Sequence, residues 1–201
     1  MSALSNPSDS KESMTTMDAI YRRRAVRDYK PEKIAPPTIN ALLDAAVHAP
    51  TAMHGEPWSF VVVQDKVVLD CLSEDAKEHV LKEKAGQTSE QARHMVDYVS
   101  DPKFHIFYNA STLIVICSKD PEATGAADGW LAAQNLMLAA CAKGLGTCVI
   151  GFAIGVLNTP KWKAELKIPD GTTIIAPIIV GAPAGETPAT SRKPPEVLIW
   201  K

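Results

Sequence analysis

The sequence predicts an α+β fold, and three observations carry that expectation. Short apolar runs suited to strands (Trp58–Val63, Thr112–Cys117, Thr172–Val180) lie among helical patterns without regular βαβ alternation. A helix expected over Gly125–Lys143 is apolar almost all round, with Gln134 and Asn135 its only polar residues between Trp130 and Ala142. No internal repeat and no long linker divides the chain, so residues 14–201 read as one domain behind a loose, disordered serine-rich tail at 1–13.

The elements follow in order. A helix is expected over Met14–Arg24, and Pro31, Pro36 and Pro37 break the chain after it. The next spans Pro37–His48, with Ile39, Leu42, Leu43, Ala46 and Val47 at helical spacing, and Pro50 stops it. Trp58–Val63 is β-branched and apolar, as a buried strand requires. Asp65–Lys84 and Ser89–Val99 read as exposed amphipathic helices parted near Gly86. Strand Thr112–Cys117 leads to the apolar helix, which Gly144 and Gly146 end. Thr147–Gly151 then starts a short strand or loop. Thr159 with Pro160 caps a further helix through Leu166, and Thr172–Val180 is a long strand. A proline-rich arm, Ala182–Pro195, ends in apolar Val197–Trp200. An apolar helix with no polar face and an apolar end on an extended arm both point to cover from a second subunit.

Composition narrows the function classes. In 201 residues, 21 Lys and Arg against 23 Asp and Glu leave a net charge of −2, which disfavours a general nucleic-acid binder. No apolar run reaches the roughly 20 residues of a membrane-spanning helix, so no membrane partner is expected. The four cysteines have no C-x-x-C spacing and lie among apolar residues, pointing to a reduced, cytoplasmic protein. The histidines make no metal-ligand spacing with them, and no Walker loop or G-x-S-x-G elbow occurs.

Three segments could carry chemistry. Arg22, Arg23, Arg24 and Arg27 crowd into six residues, and guanidinium forks suit phosphate oxygens. By charge alone, cations solvated at a helix C-terminus explain the same run. Ala49–Trp58 is a polar loop between a helix and a strand, offering Thr51, His54 and Glu56 as donors and acceptors. An ordinary connection flanked by prolines is the simpler explanation for it. Gly144–Gly151 follows a helix and opens a strand, the reverse of a dinucleotide fingerprint, leaving a backbone that something flat could approach.

Taken in order, these segments resemble the nitroreductase family of flavin-dependent oxidoreductases. Arg23-Arg24-Ala25-Val26-Arg27 matches its Arg-Arg-Ser-x-Arg motif, and Pro50-Thr51-Ala52-Met53-His54-Gly55-Glu56-Pro57-Trp58 matches its Pro-Ser-x-x-Asn-x-Gln-Pro-Trp loop. Ala132–Leu136 with Gly144-Leu145-Gly146 matches its third motif. Gly181-Ala182-Pro183 and the basic pair Arg192-Lys193 complete the pattern, which spans about Met14 to Trp200. The resemblance implies a central mixed β-sheet flanked by helices. It also implies an intertwined homodimer with exchanged C-terminal arms and FMN at the subunit interface. On it, Arg23 and Arg24 hold the phosphate with help from Arg192 and Lys193, Ala25 stands in the same site, and Arg27 faces the flavin N1/O2 edge. Pro50, Thr51, Ala52 and His54 approach the ring from the other subunit, while Ile150, Gly151 and Phe152 present backbone near N5.

Three departures stand out: Ala25 for serine, His54 for asparagine and Glu56 for glutamine. His54 thereby becomes a candidate tuning or proton-donating residue. The activity implied is transfer of hydride from NAD(P)H through flavin N5 to a nitroaromatic, quinone or similar flat acceptor by a ping-pong mechanism. The flavin, not a side chain, carries that chemistry. Alternatives are a specialised member (flavin destructase, dehalogenase or dehydrogenase), with Gln87–Tyr108 as a substrate lid, or a non-catalytic flavin-binding protein.

Overall fold

Local capping fixes where the first helices begin. In the computed structural model, which describes residues 14–120 and 122–201, the Thr15 side chain caps α1 (Thr16–Arg22) and Asp18 bonds back to the Thr15 backbone. The tail expected at 1–13 lies outside the described residues. Pro36 opens α2 (Pro36–Val47), whose His48 end bonds the Asp44 carbonyl, and a short 3-10 turn (Ala52–His54) precedes β1 (Trp58–Val63). Asp65 caps α3 (Lys66–Lys84) by accepting from Val67 and Val68 N–H, and Ser89 caps α4 (Glu90–Ser100). Then come β2 (Thr112–Ser118), α5 (Ala123–Ala142), β3 (Gly146–Val149), α6 (Phe152–Leu157), α7 (Pro160–Glu165) and β4 (Thr173–Gly181).

The sheet order is β1-β2-β4-β3 and every ladder is antiparallel. Among the described residues the sheet is therefore mixed only through one isolated parallel bridge, Ala25–Thr147. The reason lies in the connection: β2 and β3 run parallel and are joined through α5, but β4 is inserted between them. Pro177 lies one residue beyond the last β3–β4 pair, Val149–Ile178, and its carbonyl accepts from Ile150 N–H at 2.8 Å.

Side-chain alternation on β2 builds two cores. Leu113, Val115 and Cys117 face α3, α6 and α7 through Leu72, Leu157 and Trp162. Ile114 and Ile116 face α2 and α5 through Leu42 and Leu136. A strand buried on both faces reads as a continuous apolar run, which is why its period is hidden in the sequence. Burial also pushes the Cys117 thiol up to about 11. All four cysteines are free, and Cys71 is exposed, unlike the apolar setting expected for it.

Two local features differ from expectation. The helix α6 is a segment the sequence pattern passes over, being short and interrupted by Gly155. Thr159 stands at the N-cap of α7 but makes no cap bond, its hydroxyl donating instead to the Val156 carbonyl.

Asp75 on α3 fastens α7 to the body, accepting from the buried Trp162 Nε1 at 2.7 Å and from Lys161. These bonds, Lys161 first, hold its carboxyl below the usual 3.8. Asp75→Ala strands the indole N–H and should cost about 1–3 kcal/mol at pH 7. A carboxyl with a lowered folded pKa stabilises fully above its unfolded value, and that contribution is lost as pH falls through the folded value. Urea unfolding should therefore show the gap between wild type and Asp75→Ala narrowing below about pH 4.

Candidate functional site

The arginine segment is strung along the sheet rather than left in solvent. Val26 N–H donates to the Thr147 carbonyl at 3.0 Å and Lys30 N–H to Ala182 at 2.9 Å, while Tyr29 donates its hydroxyl to Val26 at 2.7 Å. Desolvation raises the Tyr29 phenol far above its ordinary value, so it remains a donor. Gly146 makes this docking possible, since a Cβ there would stand 2.7 Å from Val26 Cγ2. At Gly146 the glycine-rich backbone after α5 is thus approached by the chain's own Val26, whereas Gly151 faces open space at the first cavity described below.

Two cavities flank that strip. One of about 390 Å³ is lined by Arg27, Tyr108 and the run Cys148–Phe152, with His79, Lys84 and Met95 closing it from α3 and α4. The Arg27 guanidinium lies over the Tyr108 ring, 5.7 Å from its centroid, and Phe104 stacks edge-on against both Tyr108 and Phe152. Burial raises the Tyr108 phenol, against the opposing charge of Arg27. Cys148 is likewise pushed up by burial although Arg27 and Arg23 favour its thiolate. The second cavity, of about 200 Å³, is lined by Arg22, Arg23 and Arg24 with Cys141, Thr147 and Thr187. Arg24 also turns back to donate to the Tyr21 and Arg23 carbonyls, as a cation at a helix C-terminus does. Arg23 has no ion-pair partner among the described residues.

The structure therefore gathers Arg27, Ile150, Gly151 and Phe152 at one cavity and Arg23 and Arg24 at the other, with Ala25 on the strip between them. Pro50, Thr51, Ala52 and His54 line neither. They sit on an exposed loop in which His54 has φ 55°, a left-handed conformation that histidine and asparagine adopt more readily than most residues. That shared tolerance accounts physically for histidine at this position. Among the described residues Arg192 bonds only the Thr190 and Ser191 carbonyls, and Arg192 and Lys193 are exposed outside both cavities. Met95 and Tyr108 belong to the segment Gln87–Tyr108 named as a lid in the alternative reading, whereas nothing local in the sequence marks His79 and Lys84 for this cavity. Tyr108 and Asn109 have φ of 50° and 55°, a strain visible only in the backbone.

The arrangement offers guanidinium groups for an anion at one end and, at the other, an aromatic cleft with Arg27 over Tyr108. The family model for the nitroreductase family matches residues 20–182. The chain belongs to the nitroreductase family. It is 28% identical over 167 residues to an Archaeoglobus fulgidus protein assigned as an NADH dehydrogenase/NAD(P)H nitroreductase, covering 83% of this chain and 84% of that one. It is 24% identical over 181 residues to an FMN reductase [NAD(P)H] of Bacillus subtilis, covering 87% of this chain and 68% of the relative. Its fold is similar to that of a Bacteroides fragilis nitroreductase with bound FMN, at TM-score 0.80 and 23% identity over 92% of this chain and 98% of that one.

In this nitroreductase-family chain the joint between arginine strip and sheet is tight enough to test. Gly146→Ala forces Val26 and Thr147 apart, and overpacking of this kind costs about 1–3 kcal/mol. Urea unfolding of Gly146→Ala beside wild type should show that loss.

Proposed function

We propose that the protein is an FMN-dependent oxidoreductase that passes reducing equivalents from NAD(P)H to a nitroaromatic, quinone or similar flat acceptor, working as a homodimer. The observation that carries this reading is the strip Arg23–Arg27, with an arginine-lined cavity at one end and an aromatic cavity at the other. Those donor sets fit the phosphate and the ring of one flavin mononucleotide. Arg23 and Arg24 would hold the phosphate, and the Ile150–Phe152 backbone would meet the ring. When bound, FMN supplies the hydride chemistry at N5, which no side chain here replaces. Arg27 would stabilise negative charge at the N1/O2 edge. Lys84, His79 and Met95 bound the space in which NAD(P)H and the acceptor would follow one another, which implies ping-pong kinetics.

The surface supports a second copy. On α5, Trp130 is 43% and Leu131 45% exposed, and the end of the arm leaves Leu198 and Trp200 each 89% exposed. A partner covering these would bring its own Pro50–His54 loop, and its Arg192 and Lys193, within reach of the cavities that lack them. No described helix is long and apolar enough to cross a membrane, and the four free cysteines suit a reducing, cytoplasmic setting.

Titration with FMN should quench flavin fluorescence, and anaerobic NADH or NADPH should bleach the bound flavin. Arg23→Ala should weaken FMN binding about ten- to hundredfold, the value of a hydrogen bond to a charged group. Arg27→Gln should move the reduction potential about 30 mV or more negative, equal to about 1.4 kcal/mol for two electrons. Binding without bleaching by either nicotinamide would indicate a non-catalytic flavin protein, and absence of binding would overturn the reading.

A further inference from the structure

Asp128 is a buried carboxylate that the chemistry above does not use. It lies on α5 with 5% of its surface exposed and has no ion-pair partner among the described residues. An ionised carboxylate burying itself without a cation is costly unless its oxygens are hydrogen-bonded. Here Oδ1 and Oδ2 each accept from the Ala52 N–H at 3.2 Å, across 76 residues of chain.

The bond falls where the loop lacks its own support. Thr51 occupies the N-cap of the 3-10 turn, yet no side-chain cap bond is made there. Asp128 supplies the missing acceptor from outside the loop. Immediately beyond, Met53, His54 and Glu56 have φ of 53°, 55° and 43°. Histidine accepts such a backbone readily, whereas methionine and glutamate do so only when the surroundings impose it. The surroundings offer little else, for Met53 is 97% exposed. A strained, solvent-facing loop is thus tied, at the first N–H of its 3-10 turn, to a buried residue of α5.

We infer that Asp128 is a positioning residue, holding Thr51–Glu56 in the shape in which the loop meets the flavin. The inference rests on the FMN reading above. Released from Asp128, the loop relaxes out of its left-handed backbone, and ligand binding must then restore the order that the free protein no longer keeps.

The test is FMN affinity, by fluorescence quenching, alongside the melting temperature of the FMN-free protein. Asp128→Ala should weaken binding at least about tenfold, and Asp128→Asn, which keeps a carbonyl acceptor, should stay within about threefold of wild type. Ala52→Pro removes the donor instead. Proline is tolerated at the first position of a helical turn, and Thr51 already holds the extended backbone (φ −131°, ψ 151°) that a following proline demands. It should lose affinity like Asp128→Ala, and the double variant should lose no more than either alone. Should Asp128→Ala fail to fold, Ala52→Pro against Asp128→Asn makes the same comparison. Wild-type affinity in Ala52→Pro and Asp128→Ala, or effects that multiply in the double variant, would overturn the role. Failure of the wild type itself to bind FMN would instead defeat the functional reading.

Discussion

The close approach of α5 to the sheet at Gly129 is the constraint on which the rest of the molecule hangs. A Cβ at that position would lie 2.9 Å from Ile175 Cγ2, so only glycine lets the helix settle onto β4. With its axis fixed there, Leu136 and Ala140 fill the core shared with α2. Asn135 reaches the Ala45 carbonyl, and Asp128 points at the Ala52 N–H. The helix end then delivers the chain into β3, where Gly146 receives Val26. One helix thereby sets the heights of the polar loop and of the arginine strip.

Charge and packing divide the work along that strip. Backbone bonds and Gly146 decide where Val26–Lys30 lies, which leaves Arg23 and Arg27 at the edges of the two cavities. Arg27 lies against an aromatic face beside the larger cavity and has no ion-pair partner among the described residues. A carboxylate in the same place would neutralise the feature that the proposed chemistry needs.

Much of this was legible in the sequence, for reasons specific to each element. The strand Trp58–Val63 has the bounds that its apolar, β-branched run after Pro57 implies, and α2 begins where proline permits a helix to start. Ladder direction was not legible: whether β4 lies between β2 and β3 depends on contacts far apart in sequence. The arginines and the Ile150–Phe152 run could be named because they follow motifs, but the roles of Tyr108 and Asp128 could not. Each acts through a partner brought near by folding, Arg27 for the first and Ala52 for the second. The apolar face of α5 was readable as needing cover, and in the single chain Trp130 and Leu131 do remain uncovered.

In the proposed dimer one chain holds half of each site and a second copy supplies the loop that completes it. Subunit mixing tests this directly. A chain carrying Arg23→Ala with Arg27→Gln and a chain carrying Ala52→Pro would be prepared separately, then unfolded and refolded together in equal amounts. If each site takes its arginines from one subunit and its loop from the other, every mixed dimer holds one intact site. The mixture then recovers about a quarter of the wild-type number of high-affinity FMN sites. Recovery no greater than the sum of the two separate variants would contradict the account and place the whole site within one chain.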